Sequence, residues 1–97
     1  MENEKLEERI LYVVDKLTAR QKEVLGLFED GKADTSAEVA DVLFVSKRTV
    51  DFHLANTYGQ MRGAGLKVKN REGALRVYRT YRALKDQNYG KTQEQYD

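Results

Sequence analysis

One stretch, Ser46 to Met61, restricts the folds open to this chain more than any other. Its apolar residues Val50, Leu54 and Met61 recur at helical spacing, Thr57 shares their face, and serine is a residue type that starts helices. The stretch therefore reads as a helix with one buried face. Between the apolar positions stand Lys47, Arg48, Thr49, Asp51, His53 and Asn56, groups able to donate to a nucleic acid or accept from it.

The segments before it carry clear punctuation. Thr18 with Gln21, and Thr35 with Glu38, form two capping boxes, in which a hydroxyl accepts from an amide three residues on while the longer side chain reaches back. The first opens a helix with Val24, Leu25, Leu27 and Phe28 on its core face, closed by Asp30-Gly31. The second opens a helix of about two turns through Val39, Ala40, Val42 and Leu43. Phe44-Val45 then makes a tight connection, and Ser46 caps a longer helix expected from about Lys47 to Arg62, stopping at Gly63-Ala64-Gly65. A short helix, a tight turn and a longer basic helix have helix-turn-helix spacing, with small Ala40 where the two helices approach.

Helices are also expected on both flanks. Over residues 3–16, Leu6, Ile10, Val13 and Val14 lead to Leu17 in one apolar stripe, with Glu and Lys outside; this helix covers the core or pairs with a second copy. Near the other end Asn70 can cap a helix bearing Ala74, Leu75, Val77, Tyr78, Tyr81 and Leu84. Arg76, Arg79 and Arg82 make a basic stripe on it, suited either to flanking phosphates or to an ordinary solvated face. The tyrosines are spaced for packing rather than for stacking on single-stranded bases. Residues 86–97, DQNYGKTQEQYD, are polar and expected to form a disordered tail. The expected fold is all-α: a compact helical bundle with a helix-turn-helix core and an extra N-terminal helix, one domain over residues 1–85. The absence of proline agrees with it.

Composition narrows the function classes. The 97 residues contain no cysteine and one histidine, so neither a disulfide framework nor a thiolate metal site is available, and a reducing cytoplasm suits the chain. No cofactor is expected. MENEKLEE is acidic where a secretory signal would be basic and then apolar, and no apolar run is long enough for a membrane span. The net charge of +1 hides a strong division. Residues 1–46 hold six Lys/Arg against eleven Asp/Glu, residues 47–85 hold ten against two, and residues 86–97 hold one against three. A central block with a net charge of +8 suits phosphate contacts, because neutralised phosphates release counterions.

With these features in place, the chain resembles the LuxR-type, or GerE-type, DNA-binding domain of bacterial transcription regulators. The resemblance runs from about Leu17 to Leu84 and is carried by Leu17-Thr18-Ala19-Arg20, Glu23-Val24-Leu25, Gly31, Glu38-Val39-Ala40, Leu43, Val45-Ser46, Thr49-Val50, His53-Leu54, Asn56, Tyr58 and Arg71 with Ala74. Gln21 stands where the family commonly has glutamate and Thr57 where an aliphatic is usual. The loop from Gly31 to Glu38 and the segment from Met61 to Arg71 are both longer than the usual pattern.

The resemblance implies that the third helix of the helix-turn-helix unit, about residues 47–62, docks in the major groove of double-stranded DNA, and that the last helix mediates a homodimer. Asp51, Phe52 and Ala55 would then face base edges, where many relatives carry basic residues at the first and last of these positions. Lys47, Arg48 and Thr49 lie at the helix amino end, where amides and the dipole favour phosphate, and are assigned to backbone positioning. His53 and Asn56 are assigned to packing or phosphate contact. No constellation of nucleophile, base and stabiliser supports an enzyme. The expected function is a stand-alone transcription regulator; the alternative is a protein interaction module for polymerase or another regulator, on the same scaffold.

Overall fold

The computed structural model describes the backbone of residues 2–96 and the side chains of residues 5–87. Five helices follow one another: α1 (Glu2–Lys16), α2 (Ala19–Glu29), α3 (Ser36–Leu43), α4 (Lys47–Gly63) and α5 (Arg71–Tyr96). No strand occurs among the described residues, so the fold is all-α. The tail expected over residues 86–97 begins within α5, whose backbone runs to Tyr96, and the side chains of residues 88–97 lie outside those described.

Local chemistry sets the boundaries. Before α2 the Thr18 hydroxyl accepts from the Gln21 amide at 3.1 Å, while the Gln21 side chain accepts from the Thr18 amide at 2.8 Å, completing a capping box. At α3 the box is altered. Thr35 still accepts from the Glu38 amide at 3.1 Å, but the Glu38 carboxylate accepts from the Asp34 amide and the Thr35 hydroxyl, both at 3.4 Å. Ser46 caps α4 through the Thr49 amide at 3.1 Å, and the Asn70 side chain accepts from the Gly73 amide at 3.1 Å as α5 begins.

The turn between α3 and α4 is closed by Phe44 in the left-handed region, φ 57°, with the Val45 amide donating back to the Ala40 carbonyl at 3.0 Å. Gly31 and Gly65, at φ 72° and 88°, make the corresponding turns after α2 and α4, where a side chain would be strained.

Helix α4 meets all four other helices, and α1 lies along α5. The core draws on every helix, from Val14 of α1, Leu25 of α2 and Val39 of α3 to Val50 and Met61 of α4 and Ala74 of α5, each of them fully buried. Leu66 and Val68 are also buried, and Arg62 donates to the Val68 carbonyl at 3.1 Å, so the long segment after α4 is anchored rather than loose. The apolar stripe of α1 departs from expectation only at its first residue. Leu6 is 46% exposed, at the edge of a groove shared with Val77 and Leu66.

Candidate nucleic-acid interface

Val50, Leu54, Thr57 and Met61 are buried and define the inner side of α4. Thr57 replaces an aliphatic group at little expense because its hydroxyl donates to the His53 carbonyl one turn back, at 2.7 Å. At about 100° per residue, Arg48, Phe52, Ala55 and Gly59 fall on the opposite side of the helix, and all four are exposed. Lys47 and Asp51 occupy one flank. Thr49, His53, Asn56 and Gln60 occupy the other.

The flanks are chemically different. On the first, the Lys47 ammonium donates to the Asp51 carboxylate at 2.8 Å. That bond, and after it one from the Ser36 hydroxyl of α3, hold the Asp51 carboxyl below its ordinary value. The pair is open to solvent, so its contribution to stability is small, but it cancels charge where the helix begins. On the second flank, His53, Asn56 and Gln60 line a shallow cleft with Gln21 of α2 and its cap Thr18, closed on the outer side by Phe52. Gln21, 3% exposed, donates to the Gln60 side chain at 2.7 Å and thereby ties α2 to α4. Thr49 is half-buried, with its hydroxyl 2.9 Å from that of Ser46.

The expected site residues are thus gathered on one helix, with Lys47, Arg48, Asp51, Phe52, Ala55 and Asn56 exposed and Thr49 and His53 partly covered. Phe52 is 62% exposed and meets the His53 ring edge-on, with centroids 6.3 Å apart. Gln60 was not singled out from the sequence, since a lone glutamine on a helix carries no local signal. Its partner is 39 residues away.

The basic stripe of α5 is largely occupied within the fold. Arg79 forms a two-pronged pair with Glu29 at 2.7 and 3.1 Å, and Arg82 binds Asp30 at 2.8 Å. Arg71 donates to the Asp34 carbonyl at 2.8 Å with its guanidinium 4.4 Å from the centre of the Phe28 ring. These groups join the acidic first half to the basic second half. Much of the central positive charge is therefore spent on internal contacts, and Arg48 makes no ion pair or hydrogen bond among the described residues.

The family model described as bacterial regulatory proteins, luxR family, matches residues 15–78, which contain α2, α3, α4 and the start of α5. Among curated proteins, the transcriptional activator protein AnoR of Acinetobacter nosocomialis is 51% identical over 41 residues, which is 42% of this chain and 16% of that protein. The chain thus aligns with only a small part of that relative's length. No solved structure matches significantly.

Proposed function

Because the chain belongs to the LuxR family of bacterial regulatory proteins, we propose that it regulates transcription by docking α4 in the major groove of double-stranded DNA. The observation that carries this reading is the outer side of α4. It is exposed along Arg48, Phe52, Ala55 and Gly59, while the opposite side is locked into the core by Val50, Leu54 and Met61. The amino end of α4 offers the backbone the Arg48 charge and the positive end of the helix dipole, Lys47 being paired with Asp51 and the Thr49 amide capped by Ser46. Asn56 and His53 stand on the flank facing α2, within reach of a second strand's phosphates. A single domain of this size makes few phosphate contacts, so two copies on two half-sites complete the binding unit.

A titration of the purified protein on random-sequence duplex DNA at two salt concentrations, with molecular size measured in parallel, tests this reading. Affinity is expected to fall steeply with salt and the complex to contain two copies. An absence of binding at low salt would remove DNA docking from consideration.

A second reading, an interaction module for polymerase or another regulator, is favoured by a different observation. Phe44 and Val42 are 94% and 48% exposed on α3 and its turn, beside acidic Glu38 and Asp41. Binding to a protein partner without salt-dependent DNA binding would select it.

No helix among the described residues is long and apolar enough to cross a membrane.

A further inference from the structure

The assignment of Arg48 to phosphate contact follows from its position at a helix start, but the geometry of α4 separates it from its neighbours. Lys47 is turned to the flank and bound to Asp51, and the Thr49 hydroxyl is engaged with Ser46. Arg48 lies instead on the outermost stripe, directly in line with Phe52 one turn on. It is exposed and without an internal partner among the described residues. Beyond Phe52 the stripe offers only Ala55 and Gly59, which have no reach. A Cβ at Gly59 would meet nothing within 4 Å, so packing inside the fold does not require glycine there.

We propose that Arg48 is a specificity-determining residue that reads a guanine. The proposal rests on major-groove docking of α4. A guanidinium presents paired donors in a rigid planar fork that matches the N7 and O6 acceptors of guanine, whereas an ammonium on its flexible stem meets them with a less fixed geometry. Phe52, about 6 Å further along the axis, meets the groove about two base-pair steps away, where an exposed ring contacts the methyl group of thymine. The recognised element is a guanine and a thymine two steps apart.

The test is selection from a random duplex pool with the wild-type protein, Arg48→Ala and Arg48→Lys, followed by affinity measurement on the selected site. Wild type is expected to fix guanine at one position by roughly tenfold or more. Arg48→Ala should lose the preference at that position alone, and Arg48→Lys should weaken it there. Arg48→Lys should keep the wild-type salt slope, whereas Arg48→Ala reduces it by at most about one ion. Replacing that guanine by 7-deazaguanine should weaken wild type and leave Arg48→Ala unaffected. Arg48 is exposed, and matching circular dichroism spectra would establish that the variants fold.

The proposal is overturned if Arg48→Ala weakens every duplex equally and leaves the guanine preference intact, since that is the behaviour of a phosphate contact. Wild type that binds no duplex at low salt would overturn the docking reading and this one with it. Wild type that binds duplex while the Arg48 variants retain its full base preference overturns only the assignment of Arg48.

Discussion

Phe44 combines a left-handed backbone, φ 57°, with a side chain that is 94% exposed. For an L-residue that conformation costs roughly 1–2 kcal/mol, partly offset in a glycine replacement by the greater freedom of the unfolded chain. Phe44→Gly is expected to stabilise the protein by about 0.5–1 kcal/mol, read as a higher urea midpoint. A lower midpoint would mean that the exposed ring contributes to packing. Gln21 shows the opposite economy. Nearly all of its surface is hidden, and its amide both closes the cap of α2 and binds Gln60, so a polar group sits in the core region without an unmet hydrogen bond. Both residues stand beside α4, one at its entry and one at its flank. The position of α4 thus depends on a backbone turn and a buried amide that lie outside it.

Between elements, α1 is fastened to α5 by a small polar cluster. Tyr81 donates to the Asp15 carboxylate at 2.6 Å, and Lys85 approaches the same oxygen at 3.4 Å. Burial first, and then the bond to Asp15, push the Tyr81 hydroxyl up to about 12, while that bond and Lys85 lower the Asp15 carboxyl. A raised tyrosine value means that the folded state favours the neutral phenol. This stabilisation is complete below the ordinary value of 10.0 and is lost as pH rises through about 12. Urea midpoints are therefore expected to fall over that interval, and Tyr81→Phe to flatten the decline that Tyr81 contributes, with tyrosinate absorbance following the same window. An identical alkaline profile in Tyr81→Phe would assign the loss elsewhere, Tyr58 being the next candidate because burial also raises its value. At the acid end the sign reverses. The Asp15 contribution is lost as pH falls through its lowered value.

On the scale of the whole molecule, most of α1 lies outside residues 15–78, the part matched by the family model, yet it supplies Ile10, Val13 and Val14 to the core. Burial of three such side chains is worth on the order of 4–9 kcal/mol, against a total stability of roughly 5–15 kcal/mol for a domain of this length. Deleting residues 1–16 is expected to abolish cooperative thermal unfolding, measured by circular dichroism. Survival of a transition near the original temperature would show that α2 to α5 form a sufficient core. The charge division also acts at this scale. The pairs Glu29–Arg79 and Asp30–Arg82 join the end of α2 to α5, so the acidic half neutralises part of the basic half.

Helix boundaries, the buried faces and the helix-turn-helix spacing were legible in the residues themselves, because capping boxes, αL turns and a 3.6-residue period are local effects. The Thr18–Gln21 box, the Ser46 cap and the Val50–Leu54–Met61 face needed no knowledge of the rest of the chain. The role of each charge was not legible in this way. Whether an arginine holds a phosphate, a base or an internal carboxylate depends on which element lies opposite, and those partners are 50 and 52 residues distant for Arg79 and Arg82. Within α4, the tertiary structure turned one side of the helix to the core and pointed Arg48 and Phe52 outward, while the Lys47–Asp51 pair settled on the flank beside α3. The order of the helices could thus be read from the chain, whereas the charges available to a ligand were decided by the packing that pairs the others.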